Sequence, residues 1–301
     1  SLIRAYNLSP EKIVLSDKYA EELRAKGYVL HEINFRYGFD NQAEEDKELI
    51  HGYSVRHVPK KEIGKNGKAT WTYDGMGIYP YILDDLFNKR KVVKGRQDHY
   101  GHPKEWMEGV MKDKNFIALG ENAALQRPFV KAALEKDISD KTAFIEANKG
   151  TRKAKYFEGQ IYCTKQVKKF FEEEGFFADD STKTLQMLYP EVSFWWNYYN
   201  TKQLALKVFM NTFYGETGNS LSPFFLVHVA GGITMGGQWN IKYVRDFVLQ
   251  NGYQVLYGDT DSLYICCPEK CFEELDRQYV TGEIDRLQYW TRMVEITMET
   301  I

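Results

Sequence analysis

Asp259 and Asp261 stand one residue apart in the stretch Tyr257-Gly258-Asp259-Thr260-Asp261-Ser262, with apolar segments on both sides. Tyr253, Val255 and Tyr257 alternate with Gln254 and Leu256 before it, and Leu263 to Cys267 is again apolar after it. Short apolar runs around a polar centre predict two strands joined as a hairpin that carries its acids at the tip. On extended backbone, side chains two positions apart face the same side of the strand. Two carboxylates so placed repel each other, and a divalent cation between them would reverse that repulsion. Hard oxygen ligands of this kind suit Mg²⁺ or Mn²⁺, which usually share such sites with substrate phosphates. The alternative is a solvated turn, for which Asp and Gly are ordinary residues.

A second pattern lies about fifty residues upstream, in Gln203-Leu204-Ala205-Leu206-Lys207-Val208-Phe209-Met210-Asn211-Thr212-Phe213-Tyr214-Gly215. Taken as a helix, it puts Lys207, Asn211 and Tyr214 at i, i+4 and i+7. An ammonium, an amide and a phenol then share one face, able to meet a triphosphate, a sugar and a base pair together. The same ladder could be the polar outer face of an amphipathic helix. A third pattern starts at Gly77, where Ile78, Ile82, Leu83, Leu86 and Phe87 predict an apolar helix face and Asn88, Lys89, Arg90, Lys91 and Lys94 load the next turns with positive charge. Arg90 and Lys94, four apart, project a fork and a point charge from one side, a pairing suited to phosphate oxygens. Basic residues at a helix end also complement the helix dipole without any ligand.

Tyr257-Gly258-Asp259-Thr260-Asp261-Ser262 resembles the metal-binding hairpin of family B DNA polymerases. The stretch from Gln203 to Gly215 is similar to that family's finger-helix motif, and Arg90 with Lys94 to the triphosphate-binding pair of its first finger helix. The start, Ser1-Leu2-Ile3-Arg4-Ala5-Tyr6-Asn7-Leu8-Ser9-Pro10-Glu11, looks like the continuation of the first catalytic motif, Asp-x-x-Ser-Leu-Tyr-Pro-Ser, with Ser1 as its last serine. The motif's aspartate and its ribonucleotide-excluding tyrosine would then precede Ser1. The implied fold is α+β: a palm of antiparallel sheet with flanking helices, and α-helical fingers. The implied boundaries are palm at 1–76, fingers at 77–215 with a large insertion at about 99–196, and palm again at 216–301. Enlarged fingers of this kind resemble the polymerases of large DNA viruses.

The resemblance implies template-directed DNA synthesis, in which a deoxynucleotide passes from dNTP to a primer 3′ end by two-metal phosphoryl transfer. It names Asp259 and Asp261 as catalytic and metal-binding, Asp261 bridging two Mg²⁺ ions, for which Mn²⁺ could substitute. Arg90, Lys94 and Lys207 would hold the triphosphate, Asn211 would orient its sugar side, and Tyr214 would lie under the nascent base pair. Gly215, Tyr257 and Thr260 would meet DNA. The implied partners are primer–template DNA, dNTP and, through regions outside this chain, a sliding clamp. As a partial catalytic core lacking one aspartate, the chain alone would be inactive. Two other classes stay open: an inactive polymerase-like DNA-binding module, and another two-metal phosphoryl-transfer enzyme such as a nuclease. A nuclease has no use for the Lys-Asn-Tyr ladder.

The elements that must position these residues are less sharply written. The chain has 301 residues, 43% of them hydrophobic and 15% aromatic, ample for a core of one large or two modest domains. Lys and Arg number 40 against 42 Asp and Glu, so a DNA-binding surface has to come from local clustering. No apolar run of membrane-spanning length and no signal-peptide pattern occur, which predicts a soluble, intracellular protein. Of four cysteines, Cys266 and Cys267 read as buried thiols on a strand, with no zinc spacing. His99 and His102 read as part of a polar loop. Ser9, Pro10 and Glu11 read as a local helix entry, and residues 16–26 as a short helix ended by Gly27. Asn66-Gly67 within Lys60 to Lys68 predicts a hairpin with a lysine-rich tip, either solvated or touching phosphate. Val167, Phe170 and Phe171 predict one side of an inserted helix. The run Phe194 to Tyr199 fits a core or docking segment better than a base-stacking one. Gly231, Gly232, Gly236 and Gly237 predict a helix that closely approaches a neighbour.

Overall fold

The structure, a computed structural model, describes residues 2–38, 41–63 and 69–300. Helix α1 (Leu2–Tyr6) leads to strand β1 (Ile13–Val14), helix α2 (Asp17–Ala25) and strands β2 (Leu30–Tyr37), β3 (Glu48–Val55), β4 (Val58–Ile63) and β5 (Ala69–Asp74). Helices α3 (Ile78–Val110), α4 (Lys114–Ile117), α5 (Ala123–Ala147), α6 (Arg152–Glu173), α7 (Leu185–Gly218) and α8 (Val227–Gln250) follow. Strands β6 (Gln254–Asp259) and β7 (Ser262–Cys266) precede the final helices α9 (Glu273–Val280) and α10 (Arg286–Thr300). Small antiparallel sheets amid long helices make the fold α+β. Two compact units form: Ser1–Asp85 with Asn211–Ile301, and Leu86–Met210. No helix among the described residues is long and apolar enough to cross a membrane.

In the first unit, β3 is the centre of an antiparallel β1-β3-β2 sheet, with Ile13 opposite Ser54 and Ile33 opposite Gly52. Helix α2 begins at Ser16, whose hydroxyl accepts the Tyr19 amide, and ends at Gly27 at a φ of 86°. It buries Ala20 and Leu23 against Val14 and Tyr53. Helix α8 lies close against β2 and α1 through its glycines. A Cβ on Gly231 would fall 1.9 Å from the Phe35 ring, and one on Gly236 would fall 3.0 Å from the Tyr6 ring. The glycines therefore serve close approach, as their clustering predicts, and outweigh their low helix propensity. Strands β4 and β5 pair as the expected hairpin, while its Asn66-Gly67 tip lies outside the described residues.

Asn7 ties this unit together. It is fully buried with a φ of 55°, a conformation rare outside glycine but most tolerated by Asn and Asp. Its side-chain amide donates to Val55 O at 2.7 Å and Gly75 O at 3.1 Å, and its carbonyl oxygen accepts the Gly77 amide at 2.8 Å. Ser9 and Glu11 extend this contact to the start of α3. Ser9 Oγ accepts the Tyr79 amide at 3.2 Å, and Glu11 Oε1 accepts that of Ile78 at 2.6 Å. Ser9 thus caps a helix seventy residues away instead of its own short 3₁₀ turn, at which its side chain makes no cap. Sequence spacing finds only local caps, so this one is invisible there. Burial alone would raise the Glu11 carboxyl, but hydrogen bonds from Ser9 and the Ile78 amide outweigh it and leave Glu11 below its ordinary range.

The second unit has its own core of Met107, Phe116, Val130, Leu134, Val167, Phe170, Phe171, Phe176, Leu185, Leu188 and Val192. Val167, Phe170 and Phe171 do share the buried side of α6. Helices α5 and α6 run antiparallel, Phe144 meeting Phe157 at 4.5 Å, with Asp137 accepting from Thr164 at 2.6 Å. His99 and His102 belong to α3, not to a loop, because the apolar contacts of Tyr100 and Met107 with this core carry the helix through them. His99 itself packs edge-on against Phe170.

Candidate functional site

The acids at 259 and 261 do lie at a hairpin tip. β6 and β7 pair antiparallel down to Asp259 opposite Ser262, leaving Thr260 and Asp261 as the whole loop. Two features differ from a regular strand. A register shift between Val255 and Tyr257 breaks the expected alternation, and Leu256 and Tyr257 are both exposed. Thr260 sits at a φ of 51°, left-handed for a β-branched residue, so Asp259 and Asp261 are not successive same-face positions on extended backbone. Such a conformation costs on the order of 1–3 kcal/mol and persists where its surroundings over-determine it, often at functional sites.

The neighbours of this turn are polar and local. Thr260 Oγ1 donates to Asp259 Oδ1 at 2.9 Å, and Ser262 Oγ to the Asp259 carbonyl at 3.2 Å. Both carboxylates are exposed. Gly258 allows Leu263 to cross beneath the tip, since a Cβ there would stand 2.7 Å from Leu263 Cδ2. Among the described residues no group of three or more His, Cys, Asp or Glu gathers to hold a metal. A pair of exposed carboxylates still fits Mg²⁺, which commonly takes one or two protein carboxylates and completes its shell with water and phosphate. Just beyond the hairpin the two adjacent cysteines part company. Cys267 is buried, with its thiol pushed up by that burial, whereas Cys266 is exposed, contrary to the reading of both as buried. In a two-stranded ribbon one face stays open, and Cys266 falls on it.

Lys207, Asn211 and Tyr214 are all exposed on α7. Leu204, Val208 and Phe209 beside them are exposed too, at 45%, 63% and 66%, which a merely solvated polar face would not carry. The Tyr214 hydroxyl meets Thr234 Oγ1 of α8 at 3.3 Å, and a Cβ on Gly215 would meet nothing within 4 Å. On α3, Leu83 is buried and Ile82, Leu86 and Phe87 are half-buried, as the expected apolar face requires, but Ile78 in the first turn is exposed and Tyr79 is buried instead.

Helices α3 and α7 run antiparallel, and in the second unit side-chain pairs mark their register. Arg90 donates through Nε at 3.1 Å and Nη2 at 2.9 Å to Gln203 Oε1. Gln97 Nε2 and Gln203 Nε2 both donate to Asn200 Oδ1, each at 3.2 Å. Further along, Tyr100 stacks on Tyr199 and Trp195, and the Tyr189 hydroxyl donates to Glu108 at 2.6 Å. The aromatic run thus docks in part on α3, as a packing segment does, leaving Phe194 and Tyr198 exposed. Many lysines of this unit pair with acids, such as Lys104 with Glu108 and Lys141 with Asp137. Arg90, Lys94 and Lys207 pair with no carboxylate among the described residues. The contacts of Gln203 and Asn200 were not read from the sequence, although Gln203 stands one turn before Lys207 in the same motif.

Comparison with known proteins bears on these elements directly. Residues 191–279, which hold most of α7, α8 and the hairpin, match the family model for DNA polymerase family B. The chain is 33% identical over 285 residues, 94% of its length, to the DNA polymerase beta of an African swine fever virus isolate, of which it covers 16%. Shorter similarities are 41% identity over 61 residues to DNA polymerase II of Escherichia coli and 39% over 87 residues to DNA polymerase 1 of Sulfurisphaera ohwakuensis. These cover 20% and 28% of this chain, and 8% and 10% of those proteins. The chain spans about a sixth of the length of the viral relatives. No solved structure gives a significant match. The similarity to a viral DNA polymerase thus runs along nearly the whole chain, and the match to DNA polymerase family B falls on most of α7, on α8 and on the acidic hairpin.

Proposed function

We propose that this region carries nucleotidyl-transfer residues of a DNA-directed DNA polymerase that acts in viral DNA replication. The observation that carries the reading is the two-residue loop in which a left-handed Thr260 holds two exposed carboxylates at a hairpin tip. In this reading residues 1–76 and 216–301 belong to the palm and 77–215 to the fingers, with 99–196 as an accessory helical insertion. Primer–template DNA and dNTP are the substrates, and a sliding clamp would engage the polymerase through regions outside this chain.

Asp259 and Asp261 would hold Mg²⁺, or Mn²⁺, with Asp261 shared between two ions. Bound there, the ions would lower the pKa of the primer 3′ hydroxyl and neutralise the leaving pyrophosphate. The 3′ hydroxyl gives its proton to solvent, its oxygen forms a bond to the α-phosphorus, the bond to the pyrophosphate oxygen breaks, and the electron pair leaves with pyrophosphate. Arg90, Lys94 and Lys207 place cations on the triphosphate, where the charge that builds up during transfer is stabilised without reorganisation. Asn211 orients the sugar side. Tyr214 offers a flat ring to the nascent pair and Gly215 leaves room beside it, while Tyr257 and Thr260 meet DNA. A nuclease would need the acids alone, so the exposed Lys-Asn-Tyr face supports synthesis over hydrolysis.

The test is pre-steady-state incorporation by the full polymerase across dNTP and Mg²⁺ series. Asp261→Asn keeps the shape but removes an anionic ligand, so incorporation should fall by several orders of magnitude with primer–template affinity unchanged. Lys207→Ala should weaken nucleotide affinity and rate together. Near-normal incorporation by Asp261→Asn would overturn the reading.

A further inference from the structure

We propose that Gln203 is the positioning residue for Arg90, fixing the guanidinium for the incoming triphosphate while leaving its charge whole. This inference rests on the assignment of Arg90 to the triphosphate. Gln203 is 7% exposed, although it lies on a stretch of α7 whose neighbours Lys202 and Leu204 are exposed. A buried amide needs hydrogen-bond partners, and here both its oxygen and its nitrogen have one. Its oxygen accepts both Nε and Nη2 of Arg90, and its nitrogen donates to Asn200, whose oxygen also accepts from Gln97. The direction of the chain of bonds fixes the amide. A flipped Gln203 would turn its NH₂ toward the guanidinium, donor against donor, and its oxygen toward the oxygen of Asn200.

The choice of a neutral acceptor has a physical consequence. An Arg held on one edge by two bonds has few rotamers left to lose when phosphate binds, so the ordering cost is met before the ligand arrives. A carboxylate would hold the same edge but would neutralise the cation and compete with phosphate for it. Lys207, one turn on from Gln203, and Lys94, one turn on from Arg90, have no acid partner among the described residues either. The α3–α7 pair thus keeps three cations unneutralised and holds the stiffest of them from within the helix interface.

The experiment measures dNTP dissociation constant and maximal incorporation rate in the full polymerase for Arg90→Ala, Gln203→Leu, the double variant and Gln203→Glu. Gln203→Leu removes the acceptor and should raise the dNTP constant about tenfold, as expected for losing a hydrogen bond to a charged group. Its maximal rate should change far less, and its primer–template affinity, which reports folding, should be unchanged. The double variant should be no weaker for dNTP than Arg90→Ala alone. Gln203→Glu keeps the helix pairing and the acceptor but adds charge, and should also raise the dNTP constant. Full additivity in the double variant, or wild-type nucleotide affinity in both Gln203 variants, overturns the positioning role. An Arg90→Ala variant with unchanged dNTP affinity would instead overturn the triphosphate assignment.

Discussion

Around Asp259 and Asp261 nearly every side chain is exposed, the strands number two, and the turn is stabilised by hydroxyls of its own residues. Between α3 and α7 of the second unit, by contrast, a buried glutamine, an asparagine shared by two amides and a stack of aromatic rings hold two long helices in one register. In the proposed reading, chemistry is concentrated where packing is sparse, and packing is dense where side chains hold charge for the triphosphate. A metal or phosphate site must leave its ligating atoms open. A cation that must not wander needs walls.

That contrast can be broken by changing packing on the dense side. Leu134 is fully buried in the core of the second unit, and Leu134→Ala should destabilise that unit by about 2–5 kcal/mol. Hydrogen exchange in the full polymerase should show α5 and α6 losing protection while β6 and β7 keep theirs. In the first unit, Gly231→Ala puts a methyl where the Phe35 ring now lies, and overpacking of this kind costs about 1–3 kcal/mol. Exchange should then rise in α8 and β2.

Two smaller effects sharpen the other side. Thr260→Gly removes the left-handed strain and should raise protection of the β6 and β7 amides by about 1 kcal/mol, the glycine entropy offsetting part of the relief. If that variant also incorporates nucleotide as well as wild type, the strained turn has no part in placing the acids. Glu11 gives the smallest effect. Its carboxyl lies below the ordinary value of 4.5 in the folded protein, so the stability it contributes is complete above about 4.5 and is lost as pH falls through the lower folded value. Glu11→Gln should flatten the loss of protection at the start of α3 across that acid range.

The sequence displays the acidic hairpin plainly because its signal is local: six consecutive residues, two short strands and a turn. The Lys207–Tyr214 face and the Arg90–Lys94 pair were legible for the same reason, as spacings within single helices. What was not legible depends on residues far apart in the chain. Ser9 looks like the cap of its own turn and caps Tyr79 instead, and Gln203 looks like filler until Arg90 comes to lie against it. The bulge at Leu256 and the turn at Thr260 escaped because periodicity assumes regular backbone, and both are places where the backbone departs from it. The helical reach of α3 past His99 escaped because contacts in the second unit, more than local composition, sustain it.

The two neighbouring thiols after the hairpin offer a practical handle. Cys266 is open to reagent, whereas Cys267 is enclosed and holds its proton more tightly. A maleimide dye at neutral pH would therefore distinguish adjacent atoms of one backbone, attaching at 266 and sparing 267. With Cys163 and Cys271, both half-buried, replaced by serine, this chain would carry a single optical reporter at the end of β7, a few residues from the carboxylates. Its emission could register arrival of the primer end without altering any side chain assigned to the chemistry.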